Sequence, residues 1–263
     1  MNVQVDERAV VSPKAQIGSN VVIGPYAVIE DDVVIGDGTW IGPHAVIFNG
    51  ARIGRECKIF PGASISAPPQ DLKYKGEPTL MEVGDKSVIR EFVTLNRGTA
   101  ASGKTSLGSN CLLMAYTHLA HDCRVGDHVI LANSVALAGH VELGNYVIIG
   151  GLTPVHQFCK IGDHAMIGGA FRVSKDVPPY VLAGGSPMAY EKLNIIGLQR
   201  RGFSEKTIDL LEQTYRILYR SNLNVSQAVE RIRQEVEQIP EVQQVLQFIA
   251  NSKRGIIPGY SRR

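Results

Sequence analysis

Two histidines and an aspartate lie close together in residues 113–124, LMAYTHLAHDCR, as His118-x-x-His121-Asp122. An imidazole can accept and release a proton near neutral pH, and a neighbouring carboxylate can hold it in one tautomer, so the cluster could supply a general base. Histidine is also a common ligand of transition metals, which makes a metal site a second interpretation. A third is that these are surface residues without a chemical role.

The cluster lies within a long series of six-residue repeats, each with an aliphatic residue at the same position. The register begins at Val5, runs to Ile65, resumes at Val83 and continues to Val173. A small or β-branched residue stands four positions after most of these aliphatic residues, and glycine often follows them directly. The pattern predicts a parallel β-helix of triangular section, in which the aliphatic and small side chains point inward and glycine allows a tight turn.

Three repeats would close one coil, so residues 18 apart in the sequence should stack on neighbouring coils about 4.8 Å apart. Polar residues of several coils then meet at one edge of the prism. The predicted neighbours are His121, Gly139 and Gln157 along one strand face, Asp122 on His140, and His118 at the preceding corner. The Gly139 N–H could serve as an oxyanion donor, because glycine lets a substrate carbonyl come close.

Two segments, 66–82 and 96–106, keep the register but place Asp71, Glu77 and Ala101 where aliphatic residues are expected. Both segments are predicted to leave the coil as loops, and loops on a rigid scaffold often carry binding residues. The cysteines all occupy the small position of the repeat and are predicted to be core residues rather than metal ligands or disulfide partners: Cys57, Cys111, Cys123 and Cys159.

The repeats end near Pro178, and the rest of the chain has helical periodicity. Ser204 is a predicted N-cap, a second helix is expected over about residues 224–239, and a third is expected after Pro240. The sequence therefore predicts an all-β solenoid, residues 1–187, followed by a C-terminal α-helical domain, residues 188–263, that covers the end of the solenoid.

Charge and hydropathy exclude several classes of protein. The 263 residues carry a formal net charge of +2 and have a mean hydropathy of +0.00, which does not favour binding to nucleic acid. No apolar run is long enough for a membrane span, so stable membrane insertion is not expected. The N-terminal residues have no apolar export signal, and the expected location is the cytoplasm.

Six motifs, in this order and spacing, resemble those of the UDP-N-acetylglucosamine O-acyltransferases, the family that begins lipid A biosynthesis in Gram-negative bacteria. They span nearly the whole chain and read QDLKYKGEPT, IRE-VT--RGT, THLAHDCRVGD, LAN-VALAGHV, IIGG-TPVHQFC and GLQRRGFS. The resemblance implies that the β-helix is left-handed and that the chain forms a homotrimer with active sites between subunits. It also implies a reaction without metal or other cofactor.

The same resemblance implies roles for individual residues. His121 would be the general base for the sugar 3-hydroxyl, Asp122 would orient it, and the Gly139 N–H would polarise the thioester carbonyl. Gly169 aligns with the position that sets acyl length, and glycine there resembles forms that accept long chains. Contacts with the nucleotide sugar, or a part in shaping its pocket, are implied for Asp71, Lys73, His118, His140, His156, Gln157, Asn194, Arg200 and Arg201.

The implied acyl donor is an (R)-3-hydroxyacyl thioester on the phosphopantetheine of acyl carrier protein, and the implied acceptor is UDP-N-acetylglucosamine. Because the carrier is acidic, the basic residues of the helical segment are a predicted docking surface: Lys192, Arg200, Arg201 and Lys206.

The chain departs from the family pattern at two places. Ile196 stands where the family often has an acidic residue, and Gly185-Ser186-Pro187 replaces a more usual turn. Three alternatives stay open: a zinc-dependent protein like the γ-class carbonic anhydrases, the later N-acyltransferase of the same pathway, and a non-catalytic scaffold. An amine acceptor in place of the 3-hydroxyl is also compatible with the same base.

Overall fold

A computed structural model describes residues 3–259 as a left-handed parallel β-helix followed by four helices, which confirms the predicted fold class. The strands up to the first loop are β1 (Gln4–Val5), β2 (Val10–Val11), β3 (Gln16–Ile17), β4 (Val22–Ile23), β5 (Val28–Ile29), β6 (Val33–Ile35), β7 (Trp40–Ile41), β8 (Val46–Ile47), β9 (Ala51–Ile53), β10 (Lys58–Ile59) and β11 (Ser64–Ala67). The next are β12 (Leu80–Val83), β13 (Val88–Ile89), β14 (Thr94–Asn96), β15 (Lys104–Leu107), β16 (Leu112–Leu113), β17 (His118–Leu119), β18 (Arg124–Val125) and β19 (Ile130–Leu131). The last are β20 (Ala136–Leu137), β21 (Glu142–Leu143), β22 (Ile148–Ile149), β23 (Pro154–Val155), β24 (Lys160–Ile161), β25 (Met166–Ile167), β26 (Val181–Gly184) and β27 (Ala189–Leu193).

Successive strands pass through three sheets in turn, and these sheets form the faces of the prism. Sheet A has 11 strands and contains β16, β19, β22, β25, β26 and β27, while sheets B and C have eight each. Sheet B contains β14, β17, β20 and β23, and sheet C contains β15, β18, β21 and β24.

The predicted register of 18 holds in the regular coils, as in the pairing of His118 with Ala136. The two loops lengthen it where they leave the coil. Ser64 pairs with Thr94, 30 residues later, and Thr94 pairs with His118, 24 residues later. The loops themselves are shorter than predicted, residues 68–79 and 97–103, because β11, β12, β14 and β15 extend into the predicted segments.

The interior is filled as the repeat predicts, with the aliphatic residue and the small residue of each repeat both buried from the second coil onward. All four cysteines are buried and free. Burial raises the pKa of the Cys111 thiol to about 11, and its Sγ donates to the Gly126 carbonyl at 3.2 Å. These thiols therefore behave as small core groups.

The prediction that glycine makes the tight turn is wrong. The left-handed φ belongs to the third residue after the aliphatic one, which is usually not glycine: examples are Tyr26 (φ 59°), His128 (φ 58°) and Asp122 (φ 61°). The glycine that follows the aliphatic residue instead lets coils stack closely. A Cβ on Gly36 would lie 2.6 Å from the carbonyl carbon of Gly54 on the next coil.

The helical segment comprises α1 (Ile195–Arg200), α2 (Glu205–Arg220), α3 (Val225–Glu235) and α4 (Pro240–Ala250). Ser204 caps α2 by accepting from the Thr207 N–H, as predicted, and α4 begins at Pro240 itself, one residue earlier than expected. The α3 helix ends earlier than predicted, and α1 was not predicted. No helix of the described chain is both long and apolar enough to cross a membrane.

A hairpin joins the solenoid to the helices, since β26 and β27 pair antiparallel at the end of sheet A. The proposed domain boundary after residue 187 falls in the turn of this hairpin. Tyr215 of α2 is fully buried and donates through its hydroxyl to the Pro179 carbonyl at 2.5 Å. The helices are thus fixed to the last coil by a buried polar contact as well as by apolar packing.

Candidate active site

His121 and Asp122 form the turn between β17 and β18, at the corner where sheet B meets sheet C. Gly139 and Gln157 lie in the equivalent turns of the next two coils, so the 18-residue spacing does stack them as predicted. They occupy turns, however, and the prediction of a strand face is wrong. His118 is the first residue of β17, so its predicted place at a corner is also wrong.

Asp122 is buried, with its side chain 0% exposed, and its carboxylate accepts hydrogen bonds from the loop of residues 97–103 and from His121. The Thr99 N–H donates to Oδ1 at 3.0 Å and the Thr99 hydroxyl donates to Oδ2 at 2.7 Å, while the Ser102 hydroxyl donates to Oδ1. Burial raises the pKa of Asp122, but the hydrogen bonds from Ser102, His121 and Thr99 outweigh burial and lower the pKa to about 2. Asp122 is therefore ionised at any pH near neutrality.

The His121 ring lies between two carboxylates. Its Nδ1 is 2.7 Å from Oδ2 of Asp122, and its Nε2 is 3.9 Å from Oδ2 of Asp71 in the first loop. Because Asp122 is ionised, Nδ1 carries the proton and donates it to the carboxylate, which leaves the Nε2 lone pair free. The side chain is 16% exposed, so Nε2 can be reached from outside.

Gly139 lies directly against the His121 ring. A Cβ at position 139 would lie 2.6 Å from Cε1 and 2.8 Å from Nε2 of the ring, which is far inside van der Waals contact. Within residues 3–259, no group accepts a hydrogen bond from the Gly139 N–H. Any larger residue here would displace the His121 ring, and the free N–H donor of Gly139 lies one coil from the imidazole.

The other predicted residues of this corner surround the pair. His140 has its Nε2 3.6 Å from Oδ2 of Asp122, and its ring stacks on Phe158 at 4.5 Å. His118 shares a 2.7 Å hydrogen bond with the Thr94 hydroxyl through Nδ1, and burial together with the charge of His121 lowers its pKa. His118 is therefore neutral near pH 7.

His156, Gln157 and Lys73 lie at the margin of the corner. His156 Nδ1 is 3.0 Å from the Gln157 carbonyl, and the Gln157 side chain is exposed. In the first loop, the Lys73 backbone N–H donates to Oδ1 of Asp71 at 2.9 Å, and the Lys73 side chain is exposed.

Three hydroxyl residues near Asp122 were not predicted from the sequence. They are Thr99 and Ser102, described above, and Thr105, whose Oγ1 accepts from the Asp122 N–H at 2.8 Å. The only signal in the sequence was the predicted loop itself, in which Ala101 stands where the repeat calls for a larger aliphatic residue. Which of its residues meet the aspartate depends on how the loop closes.

Asn194, Arg200 and Arg201 form a separate group. They line a pocket of about 660 Å³ against sheet A, whose floor includes Ile148 and Met166. Sheet A is the face of the prism that lies opposite the His121 corner, so a single chain does not bring these residues to the imidazole. Ile196, at the position where an acidic residue was expected, is 64% exposed and gives this pocket an apolar wall.

Asn194, Arg200 and Arg201 differ in whether their side chains already have hydrogen-bond partners within the chain. The Asn194 amide donates to the His164 carbonyl at 2.9 Å, and the Arg201 guanidinium donates to the Gly197 carbonyl at 3.1 Å and lies over the Tyr146 ring. Arg200 is exposed on α1. Lys192, which also lines the pocket, is exposed as well, so Arg200 and Lys192 are the cations of the pocket that have no side-chain partner among the described residues and can meet an anionic ligand.

The zinc alternative can be compared with the geometry of the corner. His121, Asp122 and His140 each offer one atom, and these atoms lie within 4.8 Å of one another. The group contains two histidines, whereas the γ-class carbonic anhydrases gather three. The donor set that one chain supplies at this corner is thus one histidine short of that site, which those enzymes complete across a subunit interface.

Two family models match the chain. One, described as UDP-N-acetylglucosamine O-acyltransferase, domain 2, covers residues 176–257, and the other, described as bacterial transferase hexapeptide with six repeats, covers residues 104–139. An acyl-[acyl-carrier-protein]–UDP-N-acetylglucosamine O-acyltransferase from Chlorobaculum parvum is 57% identical over 192 residues, 73% of each chain. An enzyme of the same name from Thermodesulfovibrio yellowstonii is 47% identical over 73% of this chain and 75% of its own.

Among solved structures, the UDP-N-acetylglucosamine acyltransferase from Bacteroides fragilis is 48% identical and superposes with a TM-score of 0.95 over 96% of this chain and 99% of its own. The coiled repeats and the histidine–aspartate pair at their edge define a hexapeptide-repeat transferase. Given these relatives, the chain belongs to the UDP-N-acetylglucosamine O-acyltransferase family.

Proposed function

We propose that this protein transfers an (R)-3-hydroxyacyl group from acyl carrier protein to the 3-hydroxyl of UDP-N-acetylglucosamine, the first reaction of lipid A biosynthesis. The relatives named for transfer from acyl carrier protein to this sugar nucleotide support the two substrates. The observation that carries the chemistry is the His121–Asp122 pair, with a free Nε2 lone pair beside the Gly139 N–H.

In the proposed mechanism His121 acts first as base and then as acid. Nε2 takes the proton of the sugar 3-hydroxyl while the oxygen attacks the thioester carbonyl, and the Gly139 N–H donates to the oxyanion that forms. The carbon–sulfur bond then breaks, and the imidazolium returns its proton to the departing thiolate of phosphopantetheine. Asp122 and Asp71 flank the ring and stabilise its positive charge between the two steps.

We infer that each complete site is shared by two subunits of a homotrimer. The outer side of sheet A carries a column of partly exposed apolar residues, which suits contact with another copy of the chain: Val88, Leu112, Ile130, Ile148, Met166 and Leu182. Packing against sheet A would bring the pocket of Arg200 towards the His121 corner of a neighbour. Arg200 and Asn194 would then hold the uridine and phosphate end.

Mixing two inactive variants tests the shared site. His121→Ala and Arg200→Ala chains would be co-expressed so that trimers contain both. If each site takes one group from each of two subunits, some sites contain both wild-type groups, and activity returns. Activity no higher than in the separate variants would contradict a shared site.

The reaction itself is tested by acyl transfer with UDP-N-acetylglucosamine and carrier proteins of graded acyl length. We expect His121→Ala to lose roughly 10²-fold or more in kcat, the scale of a positioned base. The matched control is His128→Ala, which changes an exposed turn histidine remote from the corner. Wild-type turnover by His121→Ala would contradict the mechanism.

The graded series also tests Gly169 as a determinant of acyl length. Gly169 is exposed in the turn after β25, and a Cβ there would lie 3.1 Å from the Gly151 carbonyl oxygen. We expect Gly169→Met to shift the preferred chain to a shorter one, because its side chain would occupy space at the glycine turn. An unchanged length profile would remove Gly169 from that role.

A further inference from the structure

The Asp122 carboxylate is held by a short loop that the regular repeat does not contain. Residues 97–103 leave the coil between β14 and β15, and the register across them rises to 24. The loop closes on itself through the Gly103 N–H, which donates to the Thr99 carbonyl at 2.8 Å. It is tied to the first loop by the Thr79 hydroxyl, which donates to the Gly98 carbonyl at 2.6 Å.

The hydrogen bonds of the loop have a defined direction. The Ala101 N–H donates to the Thr99 hydroxyl oxygen at 3.2 Å, so the Thr99 hydroxyl proton is directed to Oδ2 of Asp122. The Ser102 hydroxyl has one proton and two nearby acceptors, the Lys104 carbonyl at 2.8 Å and Oδ1 of Asp122. The carboxylate is the stronger acceptor because it is charged, so Ser102 donates to it.

Each carboxylate oxygen therefore has two donors. Oδ1 accepts from the Thr99 N–H and from Ser102, and Oδ2 accepts from the Thr99 hydroxyl and from His121 Nδ1. Such a carboxylate can neither rotate freely nor take the Nδ1 proton. The loop thereby limits His121 to the tautomer whose Nε2 faces outward as an acceptor.

We propose that Thr99 and Ser102 are positioning residues, which fix the tautomer and orientation of the His121 imidazole through Asp122. This inference rests on the proposed role of His121 as the base. It assigns the loop of residues 97–103 to the acyl-transfer chemistry, although neither hydroxyl needs to touch a substrate.

The test compares Ser102→Ala and Thr99→Val with the conservative Ser102→Thr and Thr99→Ser. Removing one charge-assisted hydrogen bond should lower kcat roughly tenfold, with KM for both substrates nearly unchanged. A carboxylate with fewer donors is more negative towards the ring, so the acid limb of the kcat–pH profile should move to higher pH. Asp71, His118 and His140, the other titratable groups around the ring, are the same in all variants.

The conservative variants keep a hydroxyl and should retain most of kcat and the wild-type pH profile. Thr39→Val is the matched control, because its buried hydroxyl donates to a main-chain carbonyl at 2.9 Å remote from the site. It should leave both kcat and the pH profile unchanged. A purely structural role for Thr99 and Ser102 would lower stability without moving the acid limb, and that result would overturn the inference.

A double-mutant cycle separates this inference from the proposed function. In a His121→Ala background, Ser102→Ala should cost nothing further, because the effect passes through the imidazole. If His121→Ala keeps wild-type turnover, the proposed function fails. If His121→Ala loses turnover while Ser102→Ala and Thr99→Val match wild type in kcat and in pH profile, only the present inference fails. Histidine ¹⁵N NMR of Ser102→Ala supplies a readout without turnover: a change in the His121 Nδ1 and Nε2 resonances is expected, because the ring and carboxylate lose their fixed orientation, and resonances identical to those of wild type contradict the inference.

Discussion

Gly139→Ala is the substitution that tests the geometry of the corner most directly. The added methyl would lie 2.6 Å from Cε1 and 2.8 Å from Nε2 of His121, whereas ordinary carbon contacts are about 3.5 to 4 Å. The ring must therefore move by about 1 Å, and it cannot do so while Nδ1 stays 2.7 Å from Asp122. The φ angle of Gly139 is outside the left-handed region, so alanine fits the backbone and the coil should still form.

A displacement of about 1 Å at a reacting group costs roughly 10²-fold in rate. That loss corresponds to about 2.7 kcal/mol of activation free energy. The assay is acyl transfer at saturating substrates, combined with circular dichroism and thermal unfolding to show that the β-helix is intact.

Gly151→Ala is the matched control, since Gly151 occupies the same position of the repeat at another corner and a Cβ there meets its nearest atom at 3.1 Å. It should keep most of the wild-type kcat. A folded Gly139→Ala variant with wild-type kcat would refute the claim that the His121 ring is set by contact with this glycine.

Two further predictions concern buried carboxylates. Folding lowers the pKa of Asp122 from 3.8 to about 2, so Asp122 should contribute about 2 to 3 kcal/mol of unfolding free energy above pH 4, which is lost as pH falls through 2. Urea unfolding across this range should show that loss in wild type and much less of it in Asp122→Asn; equal pH slopes would contradict the prediction. Asp176 is 1% exposed and accepts from the Lys160 N–H at 2.8 Å and from the Ser252 hydroxyl at 2.6 Å, so Asp176→Ala should lower the free energy of unfolding by about 2 to 3 kcal/mol. Asp127→Ala is the matched control for Asp176→Ala, because Asp127 is exposed and accepts from the Ser109 N–H at 2.7 Å. An equal loss of unfolding free energy in Asp127→Ala would show that the burial of Asp176 is not the cause of its effect.

The coil could be predicted from the sequence because every repeat has an aliphatic residue and a small residue at the same two positions. Equivalent positions stack on neighbouring coils, so a position that is buried in one coil is also buried in the next. The contact of His121 with Gly139 follows from the same repetition, since the spacing of 18 residues places them at equivalent positions of consecutive coils. The helix start at Ser204 was predictable because the cap is a local interaction between a side chain and the next turn.

The sequence by itself thus determined the β-helix, the column of His121, Asp122, Gly139 and His140, and the residues that fill the core. Only the tertiary structure decided that these polar residues lie in turns, that the left-handed φ belongs to residues such as Asp122, and that α1 forms at Ile195. It also decided that Thr99 and Ser102 hold the Asp122 carboxylate. The physical reason is that a repeat fixes contacts between coils, whereas a loop that leaves the coil is placed by hydrogen bonds between residues whose spacing carries no period.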